Sequence, residues 1–473
     1  MHVHLIGVAG TGMGSLAGLL RKAGHRVSGS DSAFYPPMGD ALRNWGIETH
    51  QGFDPAHLTP RPDLVVVGNV CRSNNPEARA AIDGGLKYTS LPKALEELCL
   101  RGRRSFVIAG THGKTTTTAL TAHLLDALGA QPGFLIGGIP LSFPESFRLA
   151  PEGAPFVIEG DEYDSAFFEK TPKFWHYSPE VAILQAIEHD HADIYPDMAS
   201  YRAAFAGFVE RIPASGLLVA NAADPEVRAV AARAKCRVAF YALDGDDTGE
   251  VTPEWVAAKV APSEELAAFD LFAAGSSCGR LHSPLFGAAN LRNTLAALAL
   301  CASAADAKIH ALSQALVSFG GVKRRQELRG IARGVRVYDD FAHHPTAVLE
   351  TLRGFRERHP AGKLIAIFEP RSATASRRMH QDAYAQAFEP ADITLLAPVG
   401  RQEIPEAERL DTQALAAAIG DGRHRAEAHP SIDAIVARVG EIAEPGDTIV
   451  AMSNGAFGGI HDRLLCVLAG RNC

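Results

Sequence analysis

The chain has 473 residues, of which 47% are hydrophobic and 21% are charged, and its formal net charge is −8. At roughly 100–200 residues per domain, this length predicts about three globular domains. The negative net charge disfavours polyanions, so we expect no nucleic-acid partner.

The longest apolar run extends from Thr294 to Ala305 and is too short to span a bilayer, so we expect no membrane partner. The seven cysteines are scattered without a CxxC pair, a pattern typical of a reducing compartment. No signal peptide is evident before the first strand-like segment. These features predict a cytoplasmic protein.

The first hundred residues alternate short β-branched runs with helical stretches. Strands are predicted at Val3–Ile6, Arg26–Ser30 and Leu64–Gly68, and a helix is predicted at Ser15–Ala23. Apolar runs that do not alternate with polar residues are typical of parallel strands covered on both faces. We therefore predict an α/β, Rossmann-like domain over residues 1–102.

A glycine-rich turn, residues 7–14, joins the first strand to the first helix. Such a turn places a pyrophosphate at a helix N-terminus, and an acid at the end of the next strand lies near a ribose. The pattern is not a strict GxGxxG, so NAD, another nucleotide diphosphate and a plain packing turn all remain open. The residues predicted to contact such a ligand are Gly7, Gly10, Thr11, Gly12, Met13 and Asp31.

A second strand, glycine turn and helix begin near residue 105. Strands are predicted at Ser105–Ala109, Phe156–Glu159 and Val181–Leu184. The polar stretch Asp244–Glu265 is predicted to form surface connections around weak strands, and the helix Leu291–Ala305 follows it. Residues 103–324 are therefore predicted to form a central P-loop ATPase-type domain with a mostly parallel sheet.

The glycine turn of the central domain has the composition of a phosphate-binding loop. Glycines let backbone N–H groups approach a phosphate, and the N-terminus of the following helix adds positive potential. Lys114 can reach the β- and γ-phosphates of ATP, and the Thr115 hydroxyl can hold Mg²⁺. The spacing is shorter than in GxxxxGK[ST], because Ile108 occupies the position of the first glycine. The predicted ATP-binding residues of this loop are Gly110, Thr111, His112, Gly113, Lys114, Thr115 and Thr116.

Acidic and imidazole side chains follow two strands of the predicted central sheet. Three carboxylates end the first of these strands, and we expect Glu159 to be the Mg²⁺ ligand among them. The segment 188–193 ends the next strand and includes Asp193; its histidines and carboxylates suit a second divalent ion. A solvated acidic turn and structural histidines are the alternatives.

A third α/β unit, also Rossmann-like, is predicted over residues 325–473. Its predicted strands are Val335–Tyr338, Leu364–Phe368, Ile393–Leu396 and Thr448–Met452. One chain thus carries two phosphate cradles, which indicates ATP plus a second diphosphate-containing substrate. A P-loop regulatory or motor protein and an NAD-linked oxidoreductase are the alternatives from other classes, although the oxidoreductase leaves Lys114 unexplained.

Further motifs accompany the phosphate loop and the acidic segment: an Asn-x-x-Asn pair, Arg324-Arg325 and the segment 339–346. Together these motifs resemble the Mur ligase family over essentially the full length of the chain. The resemblance implies that Lys114, Glu159 and His191 are catalytic and that Thr115, Glu159 and His191 are the metal ligands. It also implies ATP contacts at Asn290, Asn293, Arg325, Asp339 and His343, a UDP-sugar contact at Asn69, and peptide contacts at Arg371 and Asn454.

The resemblance implies an ATP- and Mg²⁺-dependent ligase that acts through an acyl phosphate. Its implied substrates are UDP-N-acetylmuramate and L-alanyl-γ-D-glutamyl-meso-diaminopimelate, joined during peptidoglycan recycling; L-alanine as the acceptor is the alternative. The sequence departs from the family at Ala186, where an asparagine is usual, and at Ala289, where a histidine is usual. We expect a monomer or a weak dimer.

Overall fold

The computed structural model of the chain describes residues 1–191, 194–372, 374–420 and 424–471. Three α/β units follow one another along the chain, as the sequence predicts. Among the described residues, every helix is too short or too polar to cross a lipid bilayer. Asp193, at the end of the predicted metal-binding segment, lies outside the described residues.

The first unit is a parallel sheet in the order β3-β2-β1-β4-β5. Residues of the first strand enter two cores, since Val3 and Leu5 pack with the first helix and Ile6 packs with the third. The first helix begins at Thr11, inside the predicted glycine turn, and not at the predicted Ser15. The elements are β1 His2–Ile6, α1 Thr11–Lys22, β2 Arg26–Asp31, α2 Met38–Asn44, β3 Glu48–Gln51, β4 Leu64–Val67, α3 Pro76–Asp83, β5 Tyr88–Ser90 and α4 Leu91–Leu95.

The second unit contains a long mixed sheet in the order β17-β16-β15-β14-β13-β12-β6-β9-β7-β8 and the hairpin β10-β11. The elements are β6 Arg104–Ala109, α5 Lys114–Ala127, β7 Gly133–Leu135, β8 Phe147–Arg148, β9 Pro155–Gly160, β10 Asp164–Ala166, β11 Glu169–Pro172, β12 Val181–Leu184, α6 Met198–Val209, β13 Leu217–Asn221, α7 Pro225–Ala231, β14 Arg237–Leu243, β15 Trp255–Ala261, β16 Ala267–Ala273, β17 Ser276–Ser283, α8 Ala288–Ala304 and α9 Ile309–Val317. The strands from β14 to β8 along this order are parallel except for the β7–β8 pair.

The stretch Asp244–Glu265 contains the strand β15 between polar connections, as the sequence predicts. Trp255 and Ala257 of this strand are 5% and 1% exposed and pack into the core that includes α8. The polar residues that suggested a loop stand before and after the strand, where the chain turns.

The third unit is a sheet in the order β18-β19-β23-β20-β21-β22, parallel except for the β18–β19 pair. Its elements are β18 Glu327–Ala332, β19 Val335–Asp340, α10 Pro345–Arg358, β20 Leu364–Phe368, α11 Gln381–Ala387, β21 Ile393–Leu396, α12 Thr412–Ile419, β22 Arg425–Ala428, α13 Ile432–Ile442, β23 Thr448–Met452 and α14 Ile460–Leu468.

Close packing joins the second unit to both of its neighbours. The Phe147 ring lies directly on α1, since a Cβ added at Gly18 would come within 2.1 Å of it. On the other side, Gly287 approaches α10 so closely that an added Cβ would lie 3.0 Å from the Gly354 Cα. Phe286 and Phe355 pack beside this contact with ring centroids 5.1 Å apart. The third unit therefore sits against the carboxyl-end loops of the central sheet and encloses a cleft there.

Candidate active site

The loop between β6 and α5 is folded as a tight cradle. Gly110 and Gly113 have φ values of +136° and +82°, which L-residues with a Cβ rarely adopt. An added Cβ at Gly113 would lie 2.4 Å from Asn293 Oδ1, so only glycine fits there. The Thr111 N–H donates to the Ala186 carbonyl at 2.7 Å, which ties the cradle to the end of β12. The loop leaves the N-terminus of α5 available to an anion.

Lys114 lies inside this loop and points to a buried carboxylate that the sequence reasoning did not single out. Its Nζ donates to the Gly110 carbonyl at 2.6 Å and to Glu162 Oε2 at 3.1 Å. Glu162 also accepts from the Tyr201 hydroxyl at 3.0 Å and lies 3.3 Å from His191 Nε2. Glu162 thus links the lysine of the phosphate loop to the predicted metal histidine.

The electrostatics of this group follow from its burial. Burial opposes the charge of Lys114, but the attraction of Glu162 and Asp161 outweighs it and raises the pKa of Lys114. Burial likewise disfavours the Glu162 carboxylate, but Lys114 and His191 lower its pKa to about 2. The lysine is therefore a cation and Glu162 an anion at neutral pH, so the cradle holds a fixed positive charge for phosphates.

The predicted metal residues lie on two sides of Lys114. Thr115 Oγ1 donates to Glu159 Oε2 at 3.1 Å, and the Gly137 N–H donates to the other Glu159 oxygen at 2.5 Å. Burial raises the pKa of Glu159. A hydroxyl and a carboxylate at this distance offer the hard oxygen ligands that Mg²⁺ prefers, so these residues fit that ion.

His191 is fixed by its surroundings in a left-handed backbone conformation, with φ +54°. Its Nε2 faces Glu162, its Nδ1 lies 3.8 Å from Asp190 Oδ1, and its ring packs on Tyr163 with centroids 4.2 Å apart. Carboxylates beside an imidazole orient it as a ligand in many metal sites. The arrangement fits a divalent ion next to the phosphate loop.

A cleft of about 700 Å³ opens from the phosphate loop toward the third unit. The Asn-x-x-Asn pair lies in it: Asn293 Nδ2 donates to Asn290 Oδ1 at 3.1 Å, and Asn290 Nδ2 donates to Gln326 Oε1 at 2.8 Å. Gln185, which the sequence reasoning missed, donates to Asn293 Oδ1 at 2.5 Å. The predicted ATP residues that line the cleft are Thr111, His112, Gly113, Lys114, Thr115, Thr116, Asn290, Asn293, Arg325 and His343.

The third unit contributes Arg325 and His343 to this cleft, but not Asp339. The Arg325 guanidinium lies 4.7 Å from the centre of the Phe341 ring, and the Phe341 carbonyl is 3.0 Å from His343 Nδ1. Asp339 instead faces away, 3.4 Å from His461 Nε2, and its neighbour Asp340 lines the cleft. Successive side chains of β19 point to opposite faces, so Asp340, and not the predicted Asp339, lines this cleft.

Two consecutive arginines lie at the junction before the third unit, and their side chains point in different directions. Arg324 and Gln326 both have positive φ values, +62° and +48°. Arg325 points into the cleft, whereas Arg324 Nη2 donates to the carbonyls of Ser453 and Gly455 at 2.6 Å each. This junction therefore touches the nucleotide cleft and the loop after β23 at the same time.

The first glycine turn is built on backbone contacts. The N–H groups of Gly7 and Val8 donate to the Ser30 carbonyl at 2.8 and 3.1 Å. Asp31 Oδ2 accepts from the Ala9 N–H at 2.8 Å, so this predicted ribose ligand also stabilises the turn. The exposed part of the turn consists of Gly10, Thr11 and Gly12.

Two other residues predicted at the first turn differ in exposure. Met13 is only 5% exposed and packs against Gly68, so its side chain belongs to the core of the first unit. Asn69 is exposed and follows β4, whose end lies beside the end of β1 because the Gly68 N–H donates to the Ile6 carbonyl. The structure therefore brings Asn69 next to the turn, while the Met13 side chain is buried against Gly68.

The two residues predicted to contact a peptide follow neighbouring strands, β20 and β23. The side chain of Arg371 is half exposed, and its Nη1 lies 3.6 Å from Glu369 Oε1. Asn454 Oδ1 is buried without a hydrogen-bond partner among the described residues. Three residues after Arg371, Thr374 Oγ1 donates to Asp190 Oδ1 at 3.0 Å, so this segment reaches the central unit beside His191.

The site between the second and third units contains a phosphate loop with a lysine, a hydroxyl–carboxylate pair and an oriented histidine. This combination is typical of a nucleotide-binding enzyme that acts on phosphates. Comparison with known proteins identifies the class more closely. Three family models match successive parts of the chain: "Mur ligase family, catalytic domain" over residues 2–103, "Mur ligase middle domain" over 108–301 and "Mur ligase, glutamate ligase domain" over 324–455.

Full-length relatives agree with these matches. The UDP-N-acetylmuramate–L-alanyl-γ-D-glutamyl-meso-2,6-diaminoheptandioate ligase of Escherichia coli K12 is 39% identical over 99% of this chain and 98% of its own length. A UDP-N-acetylmuramate–L-alanine ligase of Kineococcus radiotolerans is 35% identical over 99% of this chain and 96% of its own. A crystal structure of a murein peptide ligase from Psychrobacter arcticus has a TM-score of 0.72 and 36% identity, and all of each chain is covered.

The chain belongs to the Mur ligase family. It is therefore an ATP-dependent ligase that forms amide bonds.

Proposed function

We propose that this ligase joins UDP-N-acetylmuramate to L-alanyl-γ-D-glutamyl-meso-diaminopimelate in the cytoplasm, during peptidoglycan recycling. The relatives with this activity in their names, from Escherichia coli and Haemophilus influenzae, are 39% and 38% identical to the chain. The observation that carries the chemistry is the group formed by Lys114, Glu162 and His191, which places a phosphate cradle beside a candidate metal ligand.

ATP would bind in the cleft between the second and third units. Gly110, His112, Gly113 and Thr116 would surround the phosphates together with Thr111 and Lys114. The Asn290–Asn293 pair would meet the adenine side, since both amides lie in the cleft. Arg325 and His343 would close over the nucleotide from the third unit. Because these groups come from two units, closure of the third unit would complete the site.

Thr115 and Glu159 would hold one Mg²⁺ and His191 would help to hold another. Bound Mg²⁺ supplies charge neutralisation between phosphate oxygens and an incoming carboxylate. Glu162 would keep His191 oriented and Lys114 in place, which the sequence reasoning did not foresee. This role makes Glu162 a positioning residue.

The reaction would proceed in two displacements. The lactyl carboxylate of UDP-N-acetylmuramate attacks the γ-phosphorus of ATP, and ADP leaves to give an acyl phosphate. The peptide amine then attacks the acyl carbon, and inorganic phosphate leaves as the amide forms and the amine loses a proton. Activation is needed because a free carboxylate is a poor electrophile, and Lys114 would stabilise the charge that develops on the phosphates.

The other two substrates would bind at the first and third units. Gly7, Gly10, Thr11 and Gly12 would hold the UDP-sugar diphosphate, with Asp31 and Asn69 beside them and Met13 only supporting the turn from below. Arg371 and Asn454 would contact the peptide. The proposed domains span residues 1–102, 103–324 and 325–473, and the working form would be a monomer or a weak dimer.

The UDP-N-acetylmuramate–L-alanine ligase activity is the second candidate. The relatives with that name are also similar over nearly the whole chain, at 35% identity for the Kineococcus radiotolerans protein. The two candidates share the first substrate, the nucleotide and the chemistry, and they differ only in the acceptor.

Release of ADP measures the proposal directly. The purified protein is incubated with ATP and Mg²⁺, and UDP-N-acetylmuramate, tripeptide and L-alanine are added singly and in pairs. Stoichiometric ADP and amide product with UDP-N-acetylmuramate plus tripeptide is the expected result. Efficient ligation of L-alanine would favour the second candidate. ADP formation that is independent of both other substrates would contradict a ligase.

A further inference from the structure

The side chain of Arg371 runs between two glycines. A Cβ added at Gly455 would lie 2.3 Å from Arg371 Cδ and 2.4 Å from its Nε. A Cβ added at Gly400 would lie 3.0 Å from Arg371 Cγ. Non-bonded carbon atoms prefer separations of about 3.5–4.0 Å, so a side chain at Gly455 would displace this arginine, and one at Gly400 would crowd it.

Hydrogen bonds fix the backbone of the two loops that carry Gly455 and Gly400. Arg324 Nη2 donates to the carbonyls of Ser453 and Gly455, and the Gly455 N–H donates to Ser453 Oγ at 2.9 Å. The Gly400 N–H donates to the Pro370 carbonyl at 2.9 Å. If a methyl group were added at Gly455, the free end of the arginine would therefore move, and not the loop.

The guanidinium itself is open to a ligand. The Arg371 side chain is 50% exposed, and Glu369 Oε1 lies 3.6 Å away, beyond a normal hydrogen bond. The other oxygen of Glu369, Oε2, accepts from the Ser453 hydroxyl at 2.5 Å, and Oε1 remains a loose ion-pair partner of Arg371. The segment that Arg371 begins contacts Asp190 through Thr374, next to His191. A half-exposed, oriented cation thus lies three residues before Thr374, which contacts the central unit beside the proposed reaction centre.

We propose that Gly400 and Gly455 form a cradle that holds the Arg371 guanidinium in the pose that binds the α-carboxylate of the peptide's glutamyl residue. The inference rests on the proposed function. In that peptide the reacting amine belongs to alanine, whose own carboxyl is in an amide bond. The first free carboxylate along the chain is therefore the glutamyl one, and a planar guanidinium can bind it through two parallel hydrogen bonds.

Gly455→Ala tests the cradle, because neither Gly400 nor Gly455 has a positive φ and alanine can adopt the backbone. We expect the KM for tripeptide to rise roughly 10- to 100-fold, the usual range for a charged hydrogen bond. The kcat and the KM values for ATP and UDP-N-acetylmuramate should stay within about twofold. Ala456→Ser, which adds one atom at an exposed position of the same loop, is the matched control.

Two further measurements separate positioning from a general loop defect. In an Arg371→Ala background, Gly455→Ala should change the peptide KM no further. A tripeptide with the glutamyl α-carboxyl amidated should bind wild type weakly and be insensitive to Gly455→Ala. An unchanged peptide KM in Gly455→Ala, or an additive effect in the Arg371→Ala background, overturns the cradle while the ligase activity stands. Absence of tripeptide ligation by the wild type overturns the proposed function and the cradle together.

Discussion

The two glycine turns of the chain have the same local design and different surroundings. Each follows a parallel strand and opens a helix, β1 to α1 in the first unit and β6 to α5 in the second. Around the first turn, the carboxylate of Asp31 is bonded to the backbone of the turn. Around the second, Lys114, Glu162 and His191 form one buried charged group. A glycine turn thus provides a place for phosphate, and neighbouring strand ends determine whether chemistry can occur there.

The strands beneath the two turns also differ. Phe106, Val107 and Ile108 of β6 are all fully buried and apolar. In β1, by contrast, His4 is fully buried and its Nε2 lies 2.5 Å from Glu77, a buried carboxylate of α3. The first turn therefore follows a strand that carries a buried polar pair, and the second follows a strand whose centre is entirely apolar.

Lys114→Ala should have the largest effect, because it removes the fixed positive charge of the second turn. We expect kcat for ligation to fall by at least about 1,000-fold, and the melting temperature to fall as well, because Glu162 loses the partner of its buried charge. Steady-state ADP release and circular dichroism measure the two quantities. Lys170→Ala, a surface lysine paired with Asp164, should keep wild-type activity. Near-normal ligation by Lys114→Ala would falsify the mechanism.

Glu162→Gln should have the next largest effect. The amide keeps the shape of the side chain but loses the charge that holds Lys114 and His191, so kcat should fall about 100-fold. The Mg²⁺ concentration for half-maximal rate should rise, which distinguishes lost metal orientation from lost folding. Glu152→Gln, at an exposed position, is the control. A wild-type rate and Mg²⁺ dependence in Glu162→Gln would mean that Glu162 does not position either side chain.

Asp31→Asn should affect the first turn alone. Loss of the charged acceptor for the Ala9 N–H should raise the KM for UDP-N-acetylmuramate about tenfold while the KM for ATP stays constant. Asp63→Asn is the control. Asp63 also accepts a hydrogen bond from a backbone N–H, that of His2, but it lies away from the turn. Equal changes in both KM values would show that the two turns are not independent.

Glu77→Gln should have the smallest effect on activity and a pH-dependent effect on stability. Burial disfavours the Glu77 carboxylate, but its hydrogen bond with His4 outweighs burial and lowers its pKa. A lowered pKa stabilises the fold above the usual glutamate value, near 4.3, and this stabilisation is lost as the pH falls through the folded value. Glu77→Gln should therefore lower the free energy of unfolding at pH 7 by about 1–2 kcal/mol.

Melting temperatures of the wild type and Glu77→Gln, measured from about pH 3.5 to about pH 8, should differ at neutral pH and converge in acid. The exposed Glu97→Gln is the control. If Glu77→Gln were less stable than the wild type by the same amount at every pH, a packing defect and not the lost charge would be the cause.

Sequence alone predicts the parts of the site that are local in the chain. Glycines, lysine and threonine of the phosphate loop are consecutive, and their strand–turn–helix setting is encoded by the residues on either side. Glu159 is singled out by its place at the end of an apolar strand, and its carboxylate accepts a hydrogen bond from Thr115. These inferences need only the period of the hydrophobic pattern and the rule that ligands lie at the carboxyl ends of parallel strands.

The missed features depend on contacts between distant segments. Glu162 and Lys114 are far apart in sequence and meet only after β6 and β9 pair. Gln185 meets Asn293 through packing of α8 on the central sheet. The choice between Asp339 and Asp340 depends on the orientation of β19, which a pair of adjacent aspartates does not reveal.

The consecutive arginines at the junction have a consequence for turnover. Arg325 lies in the nucleotide cleft, and Arg324 anchors the loop on which the Gly455 half of the peptide cradle is built. Because one peptide bond joins the two arginines, we expect a displacement of Arg325 from the nucleotide to be felt at the hydrogen bonds of Arg324 to that loop. Occupancy of the nucleotide cleft and order in the loop beside Arg371 should then vary together.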